Sequence, residues 1–193
     1  FPEINALQYV FLGPLVGALS RAGTGWVSDK FGGGRVTFWV FAGMIASVGA
    51  VILSLQAGFF AGFFAGFMAL FFFTGVGNAS TFQMIPAIMR KEVARLESGL
   101  KGADLVKQSD KEAAAIIGFT SAVAAYGAFF IPKSFGTSIA MTGGAEVALY
   151  AFLAFYVSCI AITWQVYTRR GGLLHDVERG RASATQTIAQ PGE

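Results

Sequence analysis

"VTFWVFAGMIASVGAVILSLQAGFFAGFFAGFMALFFFTGVGNASTFQMIPAIM", residues 36–89, holds no Asp, Glu, Lys or Arg in 54 positions. A helix crosses the hydrocarbon core of a bilayer in about 20 residues. Within that core each backbone N–H and C=O must be satisfied inside the segment, so such a run folds as helix. It divides into two spans, 36–55 and 59–89, at Gln56–Gly58. Working outward, further apolar runs lie at 4–27, 113–131 and 147–167. The sequence therefore predicts an all-α polytopic membrane protein with five transmembrane helices. Composition agrees: 54% of residues are hydrophobic and 13% charged, against about 25% charged in soluble domains.

Charge placement sets the predicted topology. The connection before the second span holds Lys30 and Arg35, 90–112 holds six basic residues, and the tail 169–193 holds four. The intervening connections hold only Lys133. Twelve basic residues against one put the first set in the cytoplasm, with the C-terminus inside. The net charge of +3 flanks apolar runs, which argues for a lipid bilayer as partner and against nucleic acid. One cysteine, Cys159, allows no internal disulfide. It reads as a small buried hydrophobe, and no metal-ligand spacing occurs. No cofactor and no enzymatic chemistry are expected. The first residue is Phe and no signal peptide precedes the first run, so the chain is expected to be a piece of a longer protein.

Between the third and fourth spans, Val93, Leu96 and Leu100 recur at helical spacing, which predicts a short amphipathic helix in the cytoplasmic loop 90–112. "SDKE" (109–112) reads as a capping box that starts the fourth helix. The tail lacks periodicity and is expected to be disordered, with its His175 a solvated bystander.

Small residues mark faces where helices can approach closely. Gly58, Gly62 and Gly66 recur at fours, as do Gly13, Gly17 and Gly25, with Arg21 in the vacant place of the second series. Gly118, Ser121, Ala122, Ala125 and Ala128 form another such face. In the third span "TGVGNASTFQM" (74–84) gathers polar groups ahead of Pro86, and Gly77 and Asn78 are candidate pore-lining residues.

Arg21 is the one basic residue inside a span, and the five spans contain no Asp or Glu. Three readings compete. Its long side chain can snorkel toward the cytoplasmic end near Asp29. It can pair with an acid outside this sequence. It can bind an anion, for which its planar fork of donors suits a planar oxyanion. The small-residue series turns it toward a neighbouring helix. No intramembrane carboxylate or histidine is present to relay protons.

Two motifs carry a family resemblance. "GWVSDKFGGGR" (25–35) resembles the cytoplasmic loop motif of the major facilitator superfamily, matched by Gly25, Asp29, Lys30, Gly32 and Arg35. Asp29 at a helix end can latch a neighbouring helix by a charge–dipole contact. "AAIIGFTSAVAAYGAFFIP" (114–132) resembles the second signature of the nitrate/nitrite porter family, and "GVGNASTFQMIP" (75–86) is similar to that family's tenth helix. The resemblance implies helices eight to twelve of an incomplete twelve-helix transporter, the C-terminal part of its bundle. It also implies transport of nitrate or nitrite across the bacterial inner membrane by alternating access. Arg21 would be one of two substrate-binding arginines, Gly118 and Ser121 would lie near the anion, and the missing N-terminal helices would supply the second arginine. Two rivals remain: a proton-coupled carboxylate transporter, and a membrane scaffold that transports nothing.

Overall fold

A computed structural model describes residues 1, 4–5, 8–97 and 99–169; the tail from 170 on, with His175, lies outside the described residues. The described residues are all-helical: α1 (Leu12–Gly23), α2 (Gly25–Phe31), α3 (Gly33–Gln56), α4 (Phe60–Leu96), α5 (Ala103–Thr142) and α6 (Glu146–Thr163), the last running into a π-helical turn, Trp164–Thr168. Among the described residues four helices are long and apolar enough to cross a membrane: α3, α4, α5, and α6 with its π turn.

The first predicted span is two shorter helices. The described residues ahead of Leu12 make turn bonds, among them Gln8 N–H to the Asn5 carbonyl at 3.1 Å. Pro14 falls in the first turn of α1, where its missing N–H removes no helical bond. The break comes at Thr24, between two glycines. There the Thr24 hydroxyl donates to the Ser20 carbonyl at 2.6 Å, alongside the Thr24 N–H at 3.0 Å. The flanking glycines are poor helix formers and make this the weak point of the run.

The third span outruns its predicted end. α4 has 37 residues, about 55 Å, and passes through Pro86 to Leu96, so most of the predicted amphipathic helix is the last turns of α4. There Val93 is buried and Leu96 exposed. α5 likewise begins at Ala103, leaving only 97–102 as connection. The capping box does not form, because Ser109 is interior to α5 and donates to the Leu105 carbonyl at 2.6 Å. Glu112 instead accepts from Gln108 at 3.0 Å. An N-cap needs non-helical backbone, and the helix is already under way two turns earlier. Arg90 and Asp110 tie the two extensions together at 3.6 Å. At its other end α5 continues through Pro132 to Thr142, so Lys133 lies on a helix, over the Phe129 ring.

Packing centres on α3 and α4, which run antiparallel. Along their seam Thr37 meets Ser80, Gly77 meets Val40, and Gly66 meets Ser47 and Val51. One core cluster is Val36, Val40, Met44 and Val76; a second is Val48, Val51, Ile52 and Leu149, which brings in α6. Gly66 and Gly62 serve the close-packing face, but Gly58 stands in the α3–α4 turn with φ +63° and open space around it. α1 runs parallel to α4, since Gly13 meets Phe71, Gly75 meets Gly17, and Gly25 meets Gln83. The successive long helices therefore alternate in direction. The α2–α3 junction and the α4–α5 connection share one end, and the short turns 57–59 and 143–145 share the other.

Candidate functional site

Arg21 stands in the last turn of α1, and the α1–α4 seam fixes its backbone. A Cβ on Gly75 would overlap the Ser20 hydroxyl and the Gly17 carbonyl, and would lie 3.0 Å from the Arg21 amide nitrogen. Only a glycine lets the two helices approach this closely. The buried position of the seam belongs to Ser20, whose hydroxyl bonds the Gly17 carbonyl at 3.0 Å. Arg21 flanks that seam, exposed on the open side of the described residues. Its guanidinium carbon sits 5.3 Å from the centroid of the Phe82 ring on α4. Among the described residues no carboxylate pairs with it.

On α4 the residues that meet α1 include Phe71, Gly75 and Phe82. Asn78 Oδ1 is buried without a hydrogen-bond partner among the described residues. Gly77, the other candidate pore-lining residue, faces α3 instead. A Cβ there would come within 2.9 Å of Val40.

The remaining polar groups of 74–84 largely satisfy themselves. Thr74 bonds the Leu70 carbonyl, and Ser80 and Thr81 both bond the Gly77 carbonyl. With Ser80 donating there, Thr37 donates to Ser80 Oγ across the helix interface at 2.8 Å. This is the ordinary way hydroxyls are accommodated in hydrocarbon. Pro86 has no N–H to give the Phe82 carbonyl one turn back.

Gly118 and Ser121 lie exposed on α5, with nothing within 4 Å of a Cβ on Gly118. α5 packs on α4 and α6, and the described residues do not bring Gly118 or Ser121 to Arg21. The loop motif is better defined. A Cβ on Gly25 would meet the Gln83 amide nitrogen at 2.7 Å. Gly32, with φ 88° and ψ 132°, turns the chain between α2 and α3 in a region closed to other residues. Lys30 and Arg35 are exposed, as is Asp29. Arg35 stands at an apolar groove of about 410 Å³ whose walls include Phe31, Trp39, Phe72 and Phe73.

Sequence reasoning did not single out Phe82 or Ser20. Phe82 is one of 20 phenylalanines and lies far along the chain from Arg21, so only the parallel register of α1 and α4 selects it.

No family model matches the chain. Curated relatives do. The chain is 46% identical over 177 residues to the nitrate/nitrite transporter NarU of Salmonella typhimurium, covering 88% of this chain and 38% of that protein. It is 44% identical over 177 residues to NarU of Escherichia coli, with the same coverage. It is 34% identical over 172 residues to the probable nitrate/nitrite antiporter NarK2 of Thermus thermophilus, covering 86% of this chain and 34% of that protein. Over its matched length the chain belongs to the nitrate/nitrite porter family. It spans little more than a third of the length of these relatives. Motif residues 25–35 and 114–132 thus sit in a chain whose relatives carry the transporter name, and its apolar helices are those of a multi-pass membrane protein.

Proposed function

We propose that this chain contributes part of a transporter that moves nitrate or nitrite by alternating access, with Arg21 gripping the anion. The observation that carries the reading is an arginine on the first apolar segment with no carboxylate beside it among the described residues. An unneutralised cation at membrane depth costs about 2.5–3.5 kcal/mol on insertion scales, and a bound anion offsets that cost. The planar fork matches a planar oxyanion in a way that an ammonium does not. The relatives' names supply the class of anion. In the complete transporter further helices bring a second cation to the same anion. The exposed small face of α5 then closes on it, with the Ser121 hydroxyl as a neutral donor and Gly118 leaving room. The motif Gly25, Asp29, Lys30, Gly32 and Arg35 works as the switch between conformations. The basic helix ends face the cytoplasm of a bacterial inner membrane, with the C-terminus inside.

Arg21→Lys in the full-length transporter keeps the charge and removes the fork. Nitrate uptake into proteoliposomes should fall at least tenfold. Uptake at the unsubstituted rate would remove Arg21 from the site and the reading with it.

A further inference from the structure

We propose that the groove beside the α2–α3 junction binds an anionic phospholipid of the bilayer, with Arg35 holding the phosphate and the walls of α3 and α4 taking an acyl chain.

The groove measures about 410 Å³ and is walled by α2, α3 and α4. Phe31, Trp39, Phe72, Phe73 and Val76 line it with carbon, and among the described residues Arg35 is the one charged side chain in its wall. The charge sits at one end. Arg35 is in the first turn of α3, whereas Phe73 packs on α3 at Gly43, eight residues on and about 12 Å along the helix. A ligand that suits both ends is negative at its head and hydrocarbon beyond it. α3 and α4 are long and apolar enough to cross a membrane, so the charged end of the groove meets the headgroups and the carbon end meets the tails. Neighbouring groups agree. Lys30 Nζ stands 5.6 Å from the centroid of the Phe31 ring, so a second cation adjoins the mouth, and Asp29 is not part of the wall. Basic residues at a membrane surface draw anionic lipid. No ion pair engages Arg35 among the described residues, and a phosphate takes a guanidinium in a fork of two bonds. A neutral helix seated here would leave that cation without a counter-charge. Trp39 is 71% exposed one turn beyond Arg35, at the depth where indole rings gather in membranes. Arg21 does not line the groove, so this site is apart from the proposed anion site.

The test uses the full-length transporter, delipidated in detergent and titrated with phosphatidylglycerol or phosphatidylcholine of matched chains, with retained lipid read by native mass spectrometry. Phosphatidylglycerol should bind about fivefold more tightly, equivalent to about 1 kcal/mol. Arg35→Gln should bring it to the phosphatidylcholine level, and Arg35→Lys, which keeps the charge, should retain the preference. Trp39→Ser opens the wall and should weaken both lipids alike. The unsubstituted protein supplies a second reading that needs no variant. Phosphatidylglycerol with a photoactivatable group in mid-chain should mark peptides holding residues 36–40 and 72–76. Equal retention of the two lipids, or a preference unchanged in Arg35→Gln, would overturn the phosphate site. Labelling that misses both peptides would show the groove covered by another part of the transporter and overturn the proposal as a whole.

Discussion

Gly75 is where one added carbon should be felt at the site. A Cβ there meets the Ser20 hydroxyl, the Gly17 carbonyl and, at 3.0 Å, the Arg21 amide nitrogen. The hydroxyl can rotate away, but the carbonyl and the amide are backbone of α1, so the helix itself must move. Overpacking of this kind costs about 1–3 kcal/mol, and backbone contacts put Gly75→Ala near the upper end. Alanine returns up to about 1 kcal/mol of helix propensity, which leaves a net loss of about 2 kcal/mol. Gly49→Ala on α3 is the control, because nothing lies within 4 Å of its Cβ. It gains the propensity without the clash and should be neutral or slightly stabilising. The assay is unfolding of the full-length transporter in detergent, paired with nitrate uptake. Displacing α1 also lifts Arg21 from Phe82, so Gly75→Ala should lose uptake as well as stability. Adding Ser20→Ala should recover only part of the loss, since the Gly17 carbonyl stays. If Gly75→Ala and Gly49→Ala unfold alike, the close approach of α1 to α4 is wrong.

Two further outcomes are expected. A double-mutant cycle of Thr37→Val and Ser80→Ala should give a coupling of about 0.6 kcal/mol and no more than about 1.7, the range for hydrogen bonds between membrane helices; zero coupling would deny the 2.8 Å contact between α3 and α4. In a Cys159→Ser background, an impermeant maleimide should label Lys101→Cys from the cytoplasmic face alone and Ala57→Cys from the opposite face alone, and labelling of both from one side would contradict the alternation of the helices.

The periodicity of charge and apolarity determined much of this protein without tertiary help. A bilayer admits only backbone that satisfies itself, so a charge-free run such as 36–89 had to be helical and had to turn near Gln56–Gly58. Arg21 stood out for the same reason, as a lone cation in a medium that solvates none. Helix ends were not legible. The capping-box reading at Ser109 and the loop reading of 90–112 assumed that a helix stops where apolarity stops, whereas α4 and α5 continue into polar sequence because local hydrogen bonds and propensity sustain them there. The split of the first span falls at Thr24, between Gly23 and Gly25, two poor helix formers whose effect hydropathy does not register. Direction around a helix was legible only to within a face. The sequence grouped Gly77 with Asn78, and only packing sets Gly77 against Val40 on α3. What covers the guanidinium was beyond the sequence altogether. Phe82 meets Arg21 because glycines at 13, 17 and 75 let two parallel helices settle in one register, and register between distant segments is a property of packed surfaces, not of either segment alone.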